Sequence, residues 1–429
     1  MRKHSKAMLI LGSGVLLGLA IAAVFLLARD DNSKLKDVTL AHDKGNLPLF
    51  NENFKKQGEF AKMKIGIGIN PIASKTSDLF VHQMRASLPT EQAPDLFVWW
   101  STFRVRELVE KNLVGDLTDL WNKHGESYPK GLRDAFTVDG KQYGFPYAVE
   151  YWPVWYNKKV FERLGLQKPR TWVDFIEICE TLQAAGITPI LSSLQDRWPA
   201  FIWFEEMIIG EDPDLYEGLC LGKVKYTDPR VKKAFGVWRD LIKKRYFTDP
   251  SANMLTNAGY LWNNEKFGMV LAGTWYYSAV LLAQGVDKND IGAFILPSHN
   301  SNAGNNIIFE AQPIFAAKNA ANAESARKIV DWWMGSEGNG HFTTLHQTYP
   351  SNIKTDTAYL PPVKENLIHT IKKDNYRVLN RYWEATPVKI CTAAVDKFAE
   401  FILNPDELDT ILGDIEEIAA DFWSQNLKR

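Results

Sequence analysis

The residues best suited to chemistry in this chain are flat rings set beside carboxylates. Between Gly144 and Lys158 one carboxylate, Glu150, stands among five rings, Tyr147, Tyr151, Trp152, Trp155 and Tyr156. A pyranose has apolar C–H faces and a rim of hydroxyls, so rings hold its faces while carboxylates or amides hold its edge. The run therefore reads as a carbohydrate platform, although any one of its rings equally suits a sheet core. The chain carries 15 Trp in 429 residues, and many flank Pro, Gly or polar residues outside regular apolar stripes. That excess favours a ligand surface.

Other chemistries find little support. His341 and His346 are five residues apart, which is not a same-face helical spacing, and no cysteine lies nearby to complete a zinc pattern. Gly66-Ile67-Gly68 lacks the third glycine of a dinucleotide loop, since Pro71 holds that position. Neither a Gly-x-Ser-x-Gly elbow nor a phosphate loop occurs. Cys179, Cys220 and Cys391 lack metal spacing; Cys179 and Cys220 either pair in an oxidising compartment or, like Cys391, stay single buried thiols. No cofactor and no metal are expected. The formal charge is −1, and it becomes −4 without Arg2, Lys3 and Lys6, which gives no electrostatic case for nucleic acid.

The elements that must position the rings alternate between strand and helix. Val38–His42, Met63–Asn70 and Pro94–Trp100 read as strands, with helical spacing at 49–60, 77–87 and 103–111. Such alternation indicates a parallel α/β sheet, whose ligands sit beyond the carboxyl ends of its strands. Asp43-Lys44 and Trp99-Trp100 lie at those ends. Asp139-Gly140 between apolar alternations predicts a hairpin over 136–143 that feeds the aromatic run. Further on, 171–185 is an amphipathic helix stopped by Gly186 and 187–191 a strand, followed by the polar and aromatic loop Gln195-Asp196-Arg197-Trp198-Pro199. A helix at 231–244, strands at 267–272 and 291–296, and a helical tail over 387–426 complete the reading. Trp198 and Trp275 again fall just after strand ends.

The N-terminus reads as an export signal. Arg2, Lys3 and Lys6 precede an apolar run from Ala7 to Ala28, long enough to be either a cleaved signal peptide or an uncleaved anchor. Either way the rest of the chain lies outside the cytoplasm. The run contains no cysteine to carry a lipid, so a lipoprotein is excluded.

At 429 residues two domains are expected. The order of several motifs resembles the extracellular solute-binding proteins of carbohydrate ABC importers, the family that includes maltose-binding protein. The motifs are His-Asp-Lys-Gly at 42–45, Pro-Asp-Leu-Phe-Val-Trp at 94–99, Asp-Gly-Lys-Gln-Tyr-Gly-Phe-Pro-Tyr at 139–147, Val-Glu-Tyr-Trp at 149–152, Tyr-Asn-Lys-Lys at 156–159, Ala-Gly-Ile-Thr-Pro-Ile at 185–190, Ala-Gly-Thr-Trp at 272–275 and Asn-Arg-Tyr-Trp at 380–383. The resemblance covers roughly 38–423. It implies a type II periplasmic binding protein of two α/β lobes, each a mainly parallel sheet flanked by helices, joined by three crossings near 147–151, 308–312 and 377–382. The expected division is a signal peptide or anchor over 1–28, a first lobe from 34–147 and 311–376, and a second from 148–310 and 377–429.

By the same resemblance the ligand-binding residues are those matching Asp43, Lys44, Trp99, Glu150, Trp275 and Trp383, with a looser match at Arg197 and Trp198. Trp100 and Glu310 join them as further candidates. Trp99, Trp275 and Trp383 would stack on sugar faces, Asp43 and Glu150 accept hydrogen bonds from hydroxyls, and Lys44 and Arg197 donate them. The second indole at Trp100 and the crossing Phe309-Glu310-Ala311-Gln312 depart from the commoner family choices. The implied partners are a carbohydrate and the membrane permease of an ABC importer, with the receptor a monomer that closes on its ligand. Two other readings stay open: a secreted glycoside hydrolase using Glu150 with Glu310 or Asp43, and a receptor for a non-sugar solute such as a polyamine.

Overall fold

The computed structural model describes residues 35–195 and 197–426. The expected export segment at 1–28 and Asp196 lie outside the described residues. Two mixed sheets organise the chain, each covered by helices.

In the first sheet, β1 (Val38–His42) lies between β2 (Ile69–Ala73) and β3 (Leu96–Val98) and runs parallel to both. The hairpin forms as predicted: β4 (Thr137–Val138) and β5 (Lys141–Gln142) pair antiparallel around Asp139 and Gly140, both at positive φ. β6 (Phe145–Tyr151) follows, so the Pro-containing aromatic run is strand. Its partner is β11 (Asn306–Ala316), which is antiparallel to β6 along one edge. Along its other edge β11 pairs first with β12 (Arg377–Asn380) and then with β3. The three expected crossings thus correspond to β6, β11 and β12, side by side.

The second sheet has the order β10-β7-β9-β8, from β7 (Val154–Asn157), β8 (Thr188–Leu191), β9 (Phe267–Leu271) and β10 (Ile291–Phe294). Here the expectation of a mainly parallel sheet needs correction. Only β8 and β9 run parallel, while β7 is antiparallel to both its neighbours. β7 enters this sheet directly from β6 of the first sheet across Trp152-Pro153, so its direction is set by where the chain arrives and not by a βαβ unit within the second sheet.

A second correction concerns 63–70, predicted as strand. The preceding helix runs on over Pro48–Ile65, burying Phe50, Phe54, Gln57 and Ala61 on one face, and closes at Gly66. The alternation Ile65-Gly66-Ile67-Gly68-Ile69 imitates strand periodicity, but the burial of a helical stripe wins. Other helices match their predicted places: Ser77–Ser87, Phe103–Glu110, Trp172–Ala184 with its Thr171 capping box, Pro229–Lys243, and the tail helices Val388–Leu403 and Leu408–Asn426.

Several helices went unforeseen, among them Thr118–His124, Pro213–Cys220, Ala323–Met334, Ser336–His346 and Pro362–Lys373, and one more lies beside the site. Helix Pro199–Glu211 is buried on every side, Glu205, Glu206 and Glu211 included, between the tail helix Val388–Leu403 and helix Pro229–Lys243. A helix without a polar face gives no amphipathic signal. Cys179, Cys220 and Cys391 are free and buried, so Cys179 and Cys220 do not pair. Among the described residues no helix is long and apolar enough to cross a membrane, and no cluster of His, Cys, Asp or Glu could hold a metal.

Candidate ligand-binding site

A cavity of about 750 Å³ lies where the ends of β1 and β3, the β6–β11 ladder and the second sheet's loops converge. Eight of the ten residues singled out from sequence line it: Asp43, Lys44, Trp100, Arg197, Trp198, Trp275, Glu310 and Trp383. Trp99 lines a smaller adjoining space of about 290 Å³ that shares Asp43, Lys44, Trp100 and Glu310 with the first. Glu150 lines neither.

The rings form two groups. Trp152, Trp198 and Trp275 meet edge to face in a triangle, with centroids 6.0, 6.2 and 6.4 Å apart. Trp383 stacks on Phe201 at 5.9 Å and meets Trp100 edge-on at 5.6 Å. Behind Trp383 lies the buried Arg104 guanidinium, 3.9 Å from the indole centroid, with Nε donating to the Trp383 carbonyl at 3.1 Å. This cation–π contact fixes the ring from its rear. Trp275 is placed by its own backbone: a Cβ on Gly273 would lie 2.4 Å from the Trp275 indole nitrogen, so the loop after β9 needs glycine there.

The charged groups come already paired. Lys44 Nζ sits 3.2 Å from Asp43 Oδ1, and Ser77 Oγ donates to Asp43 Oδ2 at 2.7 Å. Burial alone would raise the Asp43 carboxyl, but Lys44 and Ser77 outweigh it and hold it below its ordinary value. Arg381, at the end of β12, donates Nη1 to Glu310 Oε2 at 2.8 Å and Nε to Glu384 Oε2 at 3.0 Å. Burial pushes the Glu310 carboxyl upward, with Arg381 pulling it back. The Arg381 guanidinium also lies 5.4 Å from the Trp152 ring and 5.7 Å from Phe201, between the two ring groups. Arg197 joins distant elements at the rim: Nε donates to Asp396 Oδ1 at 2.9 Å, and Nη1 lies 3.9 Å from Asp78 Oδ1.

Glu150 lies apart from the other candidates, outside both cavities. It is fully buried, and the hydroxyls of Thr274 and Thr348 donate to its two carboxylate oxygens. Burial raises its carboxyl, opposed chiefly by the buried Lys364 amine. Each of its oxygens thus already accepts a hydrogen bond from a residue outside both cavities' lining. Of the five rings around it, Trp152 and Tyr147 line the cavities, whereas Trp155 and Tyr156 belong to β7 and its packing. Sequence reasoning missed Arg381 and Phe201, and also Leu47, Ser77, Asp78 and Leu255, among the residues that line the cavity. Arg381 stands inside the Asn-Arg-Tyr-Trp motif and Phe201 three residues after Trp198, so proximity to recognised aromatics was the available signal.

This arrangement has known counterparts. Residues 45–340 match the family model of bacterial extracellular solute-binding proteins. The chain belongs to this family. An ABC transporter extracellular-binding protein from Pyrococcus horikoshii is 35% identical over 208 residues, 47% of each chain, so the alignment spans about half that relative's length. The diacetylchitobiose binding protein DasA from Streptomyces coelicolor is 21% identical over 288 residues, covering 64% of this chain and 66% of DasA. Among solved structures, the bacterial solute receptor AcbH, described with an exclusive preference for β-D-galactopyranose, superposes with a TM-score of 0.81. It is 20% identical, and the match covers 92% of this solute-binding protein and all of AcbH. The likeness establishes the type II binding-protein fold.

Proposed function

We propose that this solute-binding protein captures a sugar or oligosaccharide outside the cytoplasm and delivers it to the permease of an ABC importer. The observation that carries this reading is the cavity itself: six aromatic rings in two groups, interleaved with ion pairs that present both donors and acceptors to hydroxyls. The names of relatives such as the diacetylchitobiose binding protein point the same way. The ladder of β6, β11 and β12 is the hinge, with a first lobe from 34–147 and 311–376 and a second from 148–310 and 377–429. Closure on ligand follows because only the closed state touches the sugar from both sides. The protein acts as a monomer, exported by residues 1–28 as a cleaved signal or a retained anchor.

The protein is a receptor and not a hydrolase. Glu150 and Glu310 do stand opposite one another in the β6–β11 ladder, the pairing that a glycosidase reading would need. Yet both oxygens of Glu150 are occupied by threonine hydroxyls and it does not line the cavity. Glu150 is therefore not placed to act as one of the two carboxylates that flank a glycosidic bond in such enzymes.

Tryptophan fluorescence titrated with mono- and oligosaccharides, with calorimetry as confirmation, tests the reading. A saturable change is expected with at least one saccharide, and Trp275→Ala should weaken that binding by roughly 2 kcal/mol. Binding of spermidine with no response to any saccharide would replace the sugar by a cationic solute.

A further inference from the structure

The pairing of the cavity's charges narrows the ligand class, on the premise that the ligand is a carbohydrate. We propose that this protein selects uncharged glycans and rejects those bearing a uronate, sulfate, phosphate or protonated amine.

Six charged residues line the cavity among those described, three cations and three carboxylates: Lys44, Arg197 and Arg381 with Asp43, Asp78 and Glu310. Each cation has a carboxylate partner in place. Lys44 is held by Asp43 at 3.2 Å, Arg381 by Glu310 at 2.8 Å and again by Glu384, and Arg197 by Asp396. An acidic sugar that drew Lys44 or Arg381 away from its partner would leave a buried carboxylate, Asp43 or Glu310, uncompensated, which is strongly unfavourable, while Arg197 at the rim is already met by the exposed Asp396. The sugar gains no unpaired cation in return.

A protonated amine fares no better. The two buried carboxylates of the wall, Asp43 and Glu310, are engaged by Lys44, Ser77 and Arg381. The tryptophan triangle could attract a cation through its ring faces, but the Arg381 guanidinium already lies 5.4 Å from the Trp152 centroid and repels a second positive charge there. What the walls leave open is donors. The Trp152 and Trp99 indole nitrogens and Gln312 Nε2 are buried without a hydrogen-bond partner, and all three residues line the two connected cavities. Such donors seek neutral acceptors: hydroxyl, ring or glycosidic oxygens, or an acetamide carbonyl.

A glycan array carrying neutral, uronic, sulfated and amino-sugar glycans, probed with the full chain, provides the test. Signal is expected on neutral glycans alone. Calorimetry then compares the best neutral glycan with its counterpart oxidised to the uronate or converted to the amine, and at least 30-fold weaker binding is expected for either. An acidic or amino glycan that binds as tightly as the neutral one overturns this inference and leaves the carbohydrate reading standing. No signal on any glycan overturns the carbohydrate reading itself. A second arm uses Asp43→Asn, which leaves Lys44 without its carboxylate. The neutral-to-uronate affinity ratio should then fall at least 5-fold, and an unchanged ratio would refute charge pairing as its cause.

Discussion

Glu150 and Glu310 occupy the same rung of the β6–β11 ladder, one on each strand. Directly opposed residues of an antiparallel pair project from the same face, so the two carboxylates begin as equals. Their surroundings then separate them. Glu310 opens on the cavity and is neutralised by Arg381, a full positive charge. Glu150 is sealed behind Thr274 and Thr348, whose hydroxyls supply hydrogen bonds but no charge, with Lys364 as its chief cationic influence. The first arrangement leaves a carboxylate accessible to ligand at fixed orientation. The second makes a structural fastener between β6 and two loops. Position in a ladder therefore does not assign a role; the partner that closes the carboxylate does.

The largest effect is expected where that partner is a buried ion. Arg381→Met would strand Glu310 and Glu384 together without a cation, costing about 3–5 kcal/mol of stability. Urea unfolding measures it, and adding Glu310→Gln to the same chain should restore a substantial part. A loss under about 1 kcal/mol would mean that Arg381 is not what distinguishes Glu310 from Glu150.

A third buried glutamate extends the comparison to a carboxyl whose shift has burial as its sole cause. Glu206, inside helix Pro199–Glu211, is pushed up to about 8 by desolvation. Its folded pKa exceeds its unfolded value near 4.5, so the native state holds the proton more tightly. The resulting stability is fully present below about pH 4.5 and lost as pH rises through about 8. Glu206→Gln should therefore add roughly 2 kcal/mol or more at pH 9 and almost nothing near pH 4.5. Thermal unfolding of both forms across pH 4.5–9 reads the difference. A constant offset across that range would assign the effect to packing and remove Glu206 from the comparison.

How far the sequence foretold this site depends on what each residue advertises. Strand ends are visible in alternation and turn chemistry, so the cavity positions of Asp43, Lys44, Trp100 and Trp275 were legible. Glu150 looked functional because aromatic neighbours surround it, but the threonines that hydrogen-bond it are 124 and 198 residues away. No local pattern encodes such a closure. Arg381 was missed for the same reason, since its importance comes from Glu310, 71 residues distant. Helix Pro199–Glu211 eluded prediction because complete burial erases the periodicity by which a helix is recognised. In the second sheet, direction was misjudged because strand polarity depends on where the chain enters, which composition does not record.

The mildest test in energy separates the two glutamates most directly. Glu310→Gln keeps the shape of the side chain but removes the charge that faces both Arg381 and the cavity, so ligand affinity should fall at least ~10-fold, or about 1.4 kcal/mol. Glu150→Gln keeps the same shape at a position outside both cavities, so affinity should change by less than ~2-fold, well within a hydrogen bond's worth. Its effect should instead appear in stability, because an amide cannot accept from both Thr274 and Thr348 as the carboxylate does. Calorimetry with the same saccharide, alongside urea unfolding of both variants, separates affinity from stability. If Glu150→Gln costs as much affinity as Glu310→Gln, the two carboxylates share one function after all. Thr274 and Thr348 would then be positioning a carboxylate that ligand reaches in another state of the hinge.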